Sequence, residues 1–422
     1  MMRTGDGGPG RLRHNGRMRV RRFIHPMLIA AMASFAAAAQ TQPPSVEPSP
    51  PPAEPSPQAV EPSLPATTAT PAAATPRLAT NNALPYPLRG DVAEFIDALV
   101  TAYGLDRAWL DRTLAQARYS EQAEKLNTPA LAPPWQRNWA EYRVRNVDER
   151  RIREGAAFMR SHAATLARAR ERWGVPEEII AAIIGVETFY GRVTGNLRTL
   201  DVLTTLGFDY TRRAALFREE LAQFLLWCRE QGIDPSVPRG SFAGAMGLPQ
   251  FMPSSVRRFA VDFDGDGRVD VARSPVDAIG SVGAFLAAHG WTRDAPLMLA
   301  ARADNAVVET LGRGITAAYR WHDVAALGAS VEGALDPATK VFLLDLATVT
   351  PSGVEATEFR IGTANLAAIL QYNRSYFYAV SVAELAEAIR ARFDALPQPV
   401  APAKAVSASP GAVTAAGAAP AR

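Results

Sequence analysis

One stretch restricts this chain more than any other: Pro176-Glu-Glu-Ile-Ile-Ala-Ala-Ile-Ile-Gly-Val-Glu187-Thr-Phe-Tyr-Gly191. Pro176 suits the first position of a helix, Glu177 and Glu178 suit its positive end, and Gly191 suits a left-handed stop. Within that helix Ile180, Ile183, Ile184 and Glu187 recur at three- and four-residue spacing, so a carboxylate shares a face with isoleucines. A helix with such a face needs an apolar partner, which points to helices packed on helices. Desolvation and the negative end of the helix dipole both disfavour the charged form of Glu187 and raise its pKa. A carboxyl kept protonated near neutral pH is a general acid for a poor leaving group, such as the oxygen of a glycosidic bond. The plainer alternative is a glutamate whose stem packs while its head reaches water.

With 422 residues and 48% apolar content the chain can bury a sizeable core. Its charge of +3 and pI near 9.1 are weakly basic, but the first 40 residues carry seven arginines against one aspartate, which leaves the remainder at −3. A nucleic-acid partner resting on basicity is therefore not expected. Those residues read as a signal peptide over 1–40: Arg19, Arg21 and Arg22 precede a short apolar run from Phe23 to Phe35, then small residues at Ala36–Ala39, with Met18 as an alternative start after an upstream extension. The expectation is export to the periplasm, with no lipid anchor for want of a cysteine near the cleavage region and no membrane span in the mature protein. The one cysteine, Cys228, lies in a helical pattern and reads as packing.

Residues 41–84 form a linker with twelve prolines between Thr41 and Thr80, and the Ala/Pro-rich tail over 396–422 reads as disordered. One folded region, about 85–395, remains. Periodicity predicts helices at Asp91–Tyr103, Asp106–Ala117, Asp148–Trp173, around Glu187, near Leu200–Leu206, and at Arg213–Glu230, Pro275–His289 and Val382–Phe393. Between Gly240 and Pro253 the pattern breaks into a glycine-rich run that reads as a binding loop. Weakly β-like runs at Lys340–Val349 and Val354–Ile361 predict a small β-containing insert over about 292–362.

Asp262-Phe-Asp264-Gly-Asp266-Gly267-Arg268 has the opening pattern of an EF-hand loop, with side-chain oxygens at positions one, three and five and the Arg268 carbonyl at seven. Position twelve is Arg273, a cation, and the next carboxylate is Asp277 at position sixteen. A structural calcium ion and a solvated turn capped by its own aspartates both fit this pattern.

Five ordered motifs make 85–395 resemble the lytic murein transglycosylases of the membrane-bound B type: Glu187-Thr-Phe-Tyr-Gly191, Tyr210-Thr-Arg212-Arg213, Ser241 through Ser255, the aspartate loop, and Gln371-Tyr372-Asn373 through Tyr378-Ala. The resemblance implies a mainly α, lysozyme-like catalytic domain with a small β-containing subdomain, an EF-hand-like loop at 262–277, and no cofactor for catalysis. It implies non-hydrolytic cleavage of the β-1,4 bond between N-acetylmuramic acid and N-acetylglucosamine in peptidoglycan strands, leaving 1,6-anhydro ends; a monomer is expected. Carried over, Glu187 is the sole acid/base, Ser241, Gln250, Tyr372, Asn373 and Tyr378 line the site, Tyr142 is an aromatic platform, and Arg212 and Arg213 face the acidic lactyl-peptide part. The calcium ligands would be Asp262, Asp264, Asp266, Arg268 and Asp277. Phe285 stands where the family has a tyrosine. Two rivals stay open: a hydrolytic muramidase using Asp209 as second carboxylate, and a silent peptidoglycan-binding module.

Overall fold

Helices start where a side chain can take over a free backbone amide. Asp106, Asn138, Asp148 and Ser375 each accept from the amide three residues on, and so open the helices Arg107–Leu114, Trp139–Asn146, Glu149–Ser161 and Tyr376–Asp394. The computed structural model describes residues 84–397 apart from 129–135, 137 and 350–354. The expected signal peptide, all but the last residue of the linker, and the tail beyond Pro397 lie outside the described residues.

The architecture is a lysozyme-like packing of helices with small sheets. Helix Tyr376–Asp394 runs against the Glu187-bearing helix Glu177–Thr188, helix Glu149–Ser161 and helix Trp139–Asn146. Instead of one apolar stripe, Glu177–Thr188 buries every residue from Ile179 to Gly185, because neighbours enclose it on all sides. Each fully buried isoleucine there contributes about 1.5–3 kcal/mol. Arg390 pairs with both Glu177 (2.9 Å) and Glu178 (2.8 Å), tying the start of this helix to the last one. Among the described residues no helix is long and apolar enough to cross a membrane.

Several boundaries differ from the sequence expectation, three of them as follows. The long helix expected at Asp148–Trp173 is two, Glu149–Ser161 and Ala163–Trp173, broken at His162, whose backbone leaves the helical region (φ −119°, ψ 24°) while its ring packs 4.5 Å from that of Phe158. The last helix starts at Tyr376, ahead of Val382, because Ser375 caps it. Pro176 is the N-cap, one place before the first helical turn. The weakly β-like runs are strands Lys340–Val349 and Glu355–Gly362. They form the centre of a sheet ordered Tyr319–Arg320, Lys340–Val349, Glu355–Gly362, Met298–Arg302, Ser330–Val331, antiparallel at each pairing. This sheet has its own small core around Val307, Val324, Val341 and Ile361. Tyr376 couples it to the helical body by accepting from the Gly314 amide (2.9 Å) and donating to the Gly314 carbonyl (2.6 Å), two residues before Tyr378.

Candidate active site

Glu187 lies in the last turn of its helix. The left-handed residue that ends this helix is Phe189 (φ 53°, ψ 50°), not Gly191, and Tyr190 (φ 59°) and Gly191 (φ 85°) continue the reversal. Two aromatic residues in that region store strain, which the packing must offset. Gly185 leaves the space for Tyr190, since an added Cβ would stand 2.5 Å from the tyrosine oxygen. The Tyr190 hydroxyl donates to the Arg151 carbonyl (2.8 Å). Thr188 donates through its hydroxyl to the carbonyls of Ile184 (3.1 Å) and Leu248 (3.0 Å) and accepts from the Gly191 amide (3.0 Å). The carboxyl between these anchors is thereby held in one place.

The opposite walls come from three segments. The corner between helices Ala364–Tyr372 and Tyr376–Asp394 presents Tyr372, Asn373 and Tyr378, the two tyrosine rings stacked at 6.4 Å. Tyr378 donates to Glu187 Oε1 at 2.6 Å, and Tyr372 donates to the Pro249 carbonyl at 2.5 Å. The glycine-rich loop presents Ser241, whose hydroxyl accepts from the amides of Ala243 (3.3 Å) and Ala245 (3.1 Å), and Gln250 in a left-handed conformation (φ 49°). The Gln250 amide nitrogen donates to the carbonyls of Thr194 (3.0 Å) and Gly247 (2.9 Å), which leaves its oxygen as the group that can meet a ligand. Helix Trp139–Asn146 presents Tyr142 and Asn146.

Together these segments enclose a cavity of about 400 Å³ with Glu187 in its wall. Burial pushes the Glu187 pKa up to about 7, partly countered by the Tyr378 hydroxyl, which favours the carboxylate. Burial, and after it the charge of the Glu187 carboxylate, raises the pKa of the hydroxyls of Tyr142, Tyr372 and Tyr378. Of the residues expected in the site, Tyr142, Arg213, Ser241, Gln250, Tyr372, Asn373 and Tyr378 line this cavity with Glu187. Arg212 does not: it is exposed and outside the wall, whereas Arg213 turns inward because it takes the left-handed N-cap of helix Ala214–Glu230 (φ 64°). Phe285 lies in the wall between Tyr372 (4.8 Å) and His289 (4.1 Å) as an aromatic floor.

A second carboxylate on this cavity, Glu220, escaped the sequence reading. It sits on the apolar face formed by Phe217, Leu221 and Phe224, the same signal that marked Glu187. Both its oxygens are engaged by Ser254, from the amide (2.9 Å) and the hydroxyl (2.7 Å), so it caps helix Pro253–Phe259. His289, Arg258 and Arg374 also line the cavity without having been singled out. Asp209 is elsewhere. It accepts from Tyr86 (2.6 Å) and pairs with Arg89 (2.6 Å), the arginine buried and the aspartate partly exposed.

In the aspartate loop, ligand atoms of Asp262, Asp264 and Asp266 lie within 4.8 Å of one another. Asp262 accepts from the amides of Gly265 (2.7 Å), Asp266 (3.1 Å) and Gly267 (2.8 Å), as in a turn capped by its own aspartates, and the all-oxygen set could also hold a hard divalent ion such as calcium. Asp277 is not part of the group: it is buried, and its oxygens accept from the amides of Phe263 (2.8 Å) and Asp270 (2.8 Å). The Arg268 amide donates to Asp266 (2.8 Å). Val271, in the same loop, accepts from the Leu248 amide (2.9 Å), and the Leu248 carbonyl receives Thr188, so two hydrogen bonds link the loop to the neighbour of Glu187.

A helical lysozyme-like body with Glu187, its pKa raised by burial, in the wall of a tyrosine-lined cavity defines the class, and comparison gives the family. Residues 88–387 match the model of the transglycosylase SLT domain, and the chain belongs to that family: it is a lytic transglycosylase of peptidoglycan. It is 39% identical over 303 residues to membrane-bound lytic murein transglycosylase B of Escherichia coli (strain K12), covering 70% of this chain and 81% of that protein. It is similar to the crystal structure of lytic transglycosylase SltB1 from Pseudomonas aeruginosa, with 41% identity, a TM-score of 0.67, and coverage of 73% of this chain and 99% of that one. It is also similar to Escherichia coli lytic transglycosylase Slt35 in complex with calcium, with 37% identity, a TM-score of 0.64, and coverage of 73% and 95%.

Proposed function

We propose that Glu187 is the only proton carrier of the cleavage. Protonated, it donates to the N-acetylglucosamine oxygen as the bond to muramic carbon-1 breaks. As carboxylate, it then takes the proton of the muramic carbon-6 hydroxyl while that oxygen closes on carbon-1, giving a 1,6-anhydro end and returning the acid to its starting form. The carrying observation is that Glu187 is a carboxyl held near neutrality on the cavity wall, whereas Glu220 is engaged by Ser254 and Asp209 is bound to Arg89. Most hydrolysing glycosidases use a second carboxylate free to work. Ser241, Asn373 and the Gln250 oxygen suit the acetamido and hydroxyl groups of the sugar, the tyrosines its faces, and Arg213 the acidic lactyl-peptide part. Mass spectrometry of products from purified sacculi tests this reading. Muramic ends lacking the elements of water support it, and free reducing ends as main product overturn it.

The pH dependence has a definite sign. The first step needs the protonated acid, so kcat/KM should hold below about pH 7 and fall tenfold per unit above it. A rate still climbing at pH 8 would contradict the assignment.

Asp262, Asp264 and Asp266 are proposed to hold a structural calcium ion, as the donor set allows, with Arg268 contributing its carbonyl and Asp277 stiffening the loop through backbone amides. The ion would neutralise the loop and firm the segment that reaches Leu248 and Thr188. Calcium at a hundredfold excess over its Kd should add about 2.7 kcal/mol of stability. The melting temperature should therefore rise with calcium and fall with chelator, and Asp264→Ala should remove the response. A parent protein indifferent to both would rule the site out. The basic, apolar and then small-residue start of the chain supports export to the periplasm, where the polymer lies.

A further inference from the structure

We propose that Arg151 is a positioning residue for the cleavage, locking the end of the helix that carries Glu187 to the end of the helix that carries Tyr142 and Asn146. Arg151 is the most deeply buried charged side chain among the described residues, at 0% exposure. A buried guanidinium is tolerated only where its donors are met. Its Nε donates to the Gly185 carbonyl (3.1 Å), two residues before Glu187. Its Nη1 donates to the carbonyls of Arg145 (2.9 Å) and Asn146 (3.2 Å), at the end of helix Trp139–Asn146, and to Asp148 (2.5 Å). One rigid fork thus serves the carbonyl ends of two helices, where a cation also meets both negative dipole ends. Both helices send side chains into the cavity, but Arg151 itself is not in the cavity wall.

The strained reversal after Glu187 is tied to the same residue. Tyr190 donates to the Arg151 carbonyl (2.8 Å), and the guanidiniums of Arg150 and Arg151 stand over the Phe189 ring at 4.8 and 5.2 Å. Gly155, one turn beyond Arg151, and Gly185 leave room for the Tyr190 hydroxyl, which an added Cβ at either position would strike. Left-handed Phe189 and Tyr190 persist because this surrounding structure fixes them, and the helix end cannot relax away from the Tyr142 wall. The proposal rests on the Glu187 reading, and its test is separable from it.

The test uses the full chain with Arg151→Lys, which keeps the charge but has no planar fork, and Tyr190→Phe, which removes only the hydroxyl. The readouts are melting temperature, kcat and KM on a defined peptidoglycan fragment, and the pH–rate profile. A misplacement on the order of 1 Å lowers the rate about 100-fold, so Arg151→Lys should lose about that in kcat. Its KM should stay within about threefold of the parent, its alkaline limb should move to lower pH as water reaches the carboxyl, and its products should stay anhydro-ended. Tyr190→Phe should shift kcat and the limb the same way by a smaller factor. A folded Arg151→Lys with parental kcat and an unmoved limb, whatever its melting temperature, overturns the proposal. Should Arg151→Lys not fold, Tyr190→Phe decides: a lowered kcat at parental KM supports positioning, and parental kcat and limb overturn it. Failure of Glu187 itself would show separately, as turnover retained in Glu187→Gln.

Discussion

Glu187→Gln should fold and melt as the parent does and cleave peptidoglycan at no more than about a thousandth of the parental rate, the scale of general acid–base catalysis. The amide keeps the shape of the side chain and can still accept the Tyr378 hydroxyl that now reaches Oε1 at 2.6 Å. It can neither give nor take a proton. With Glu220 capping a helix and Asp209 outside the cavity, no described carboxylate stands ready to replace it. Thermal melts beside turnover on purified sacculi decide the matter, and activity within tenfold of the parent would remove Glu187 from its role.

Asp209→Ala should act in the opposite manner, on stability and not on chemistry. The substitution removes one of the two carboxylates on the buried Arg89 guanidinium, leaving Asp91 at 2.9 Å, and deprives the Tyr86 hydroxyl of its acceptor. With Asp91 still paired to Arg89, the loss is that of a hydrogen-bond partner for two buried donors, about 1–3 kcal/mol, so denaturant midpoint and melting temperature should drop. The fraction still folded at low temperature should cleave normally and leave anhydro ends. A variant as stable as the parent but inactive would restore Asp209 as a second catalytic carboxylate and revive the hydrolase reading.

Sequence showed most where a charged residue type broke an otherwise apolar periodic face. Glu187 among isoleucines was legible for that reason, and Glu220 beside Phe217, Leu221 and Phe224 carried the same mark but passed as part of an ordinary helix. What could not be read was set by partners distant in the chain. A left-handed stop is expected of glycine, yet Phe189 takes it, because guanidiniums, Thr188 and the space left by Gly155 and Gly185 hold the turn. Asp277 has the right chemistry for a metal, but the amides of Phe263 and Asp270 claim its oxygens. Arg212 and Arg213 are alike in sequence and diverge by one backbone conformation. Arg151, fully buried, carries no mark in the sequence that sets it apart from its helical neighbours, and its role shows only once the two helix ends that it joins are in view.

The central claim is that one carboxyl works with an internal nucleophile, so that the muramic carbon-6 hydroxyl outcompetes water. An intramolecular group held in position has an effective molarity on the order of 10⁵ M or more in favourable cases, far above that of bulk water. Digestion of sacculi in ¹⁸O-labelled water, followed by borohydride reduction and mass spectrometry, tests this directly. The account predicts new muramic termini that carry no heavy oxygen and resist reduction, while labelled, reducible muramic termini as the main product would contradict it.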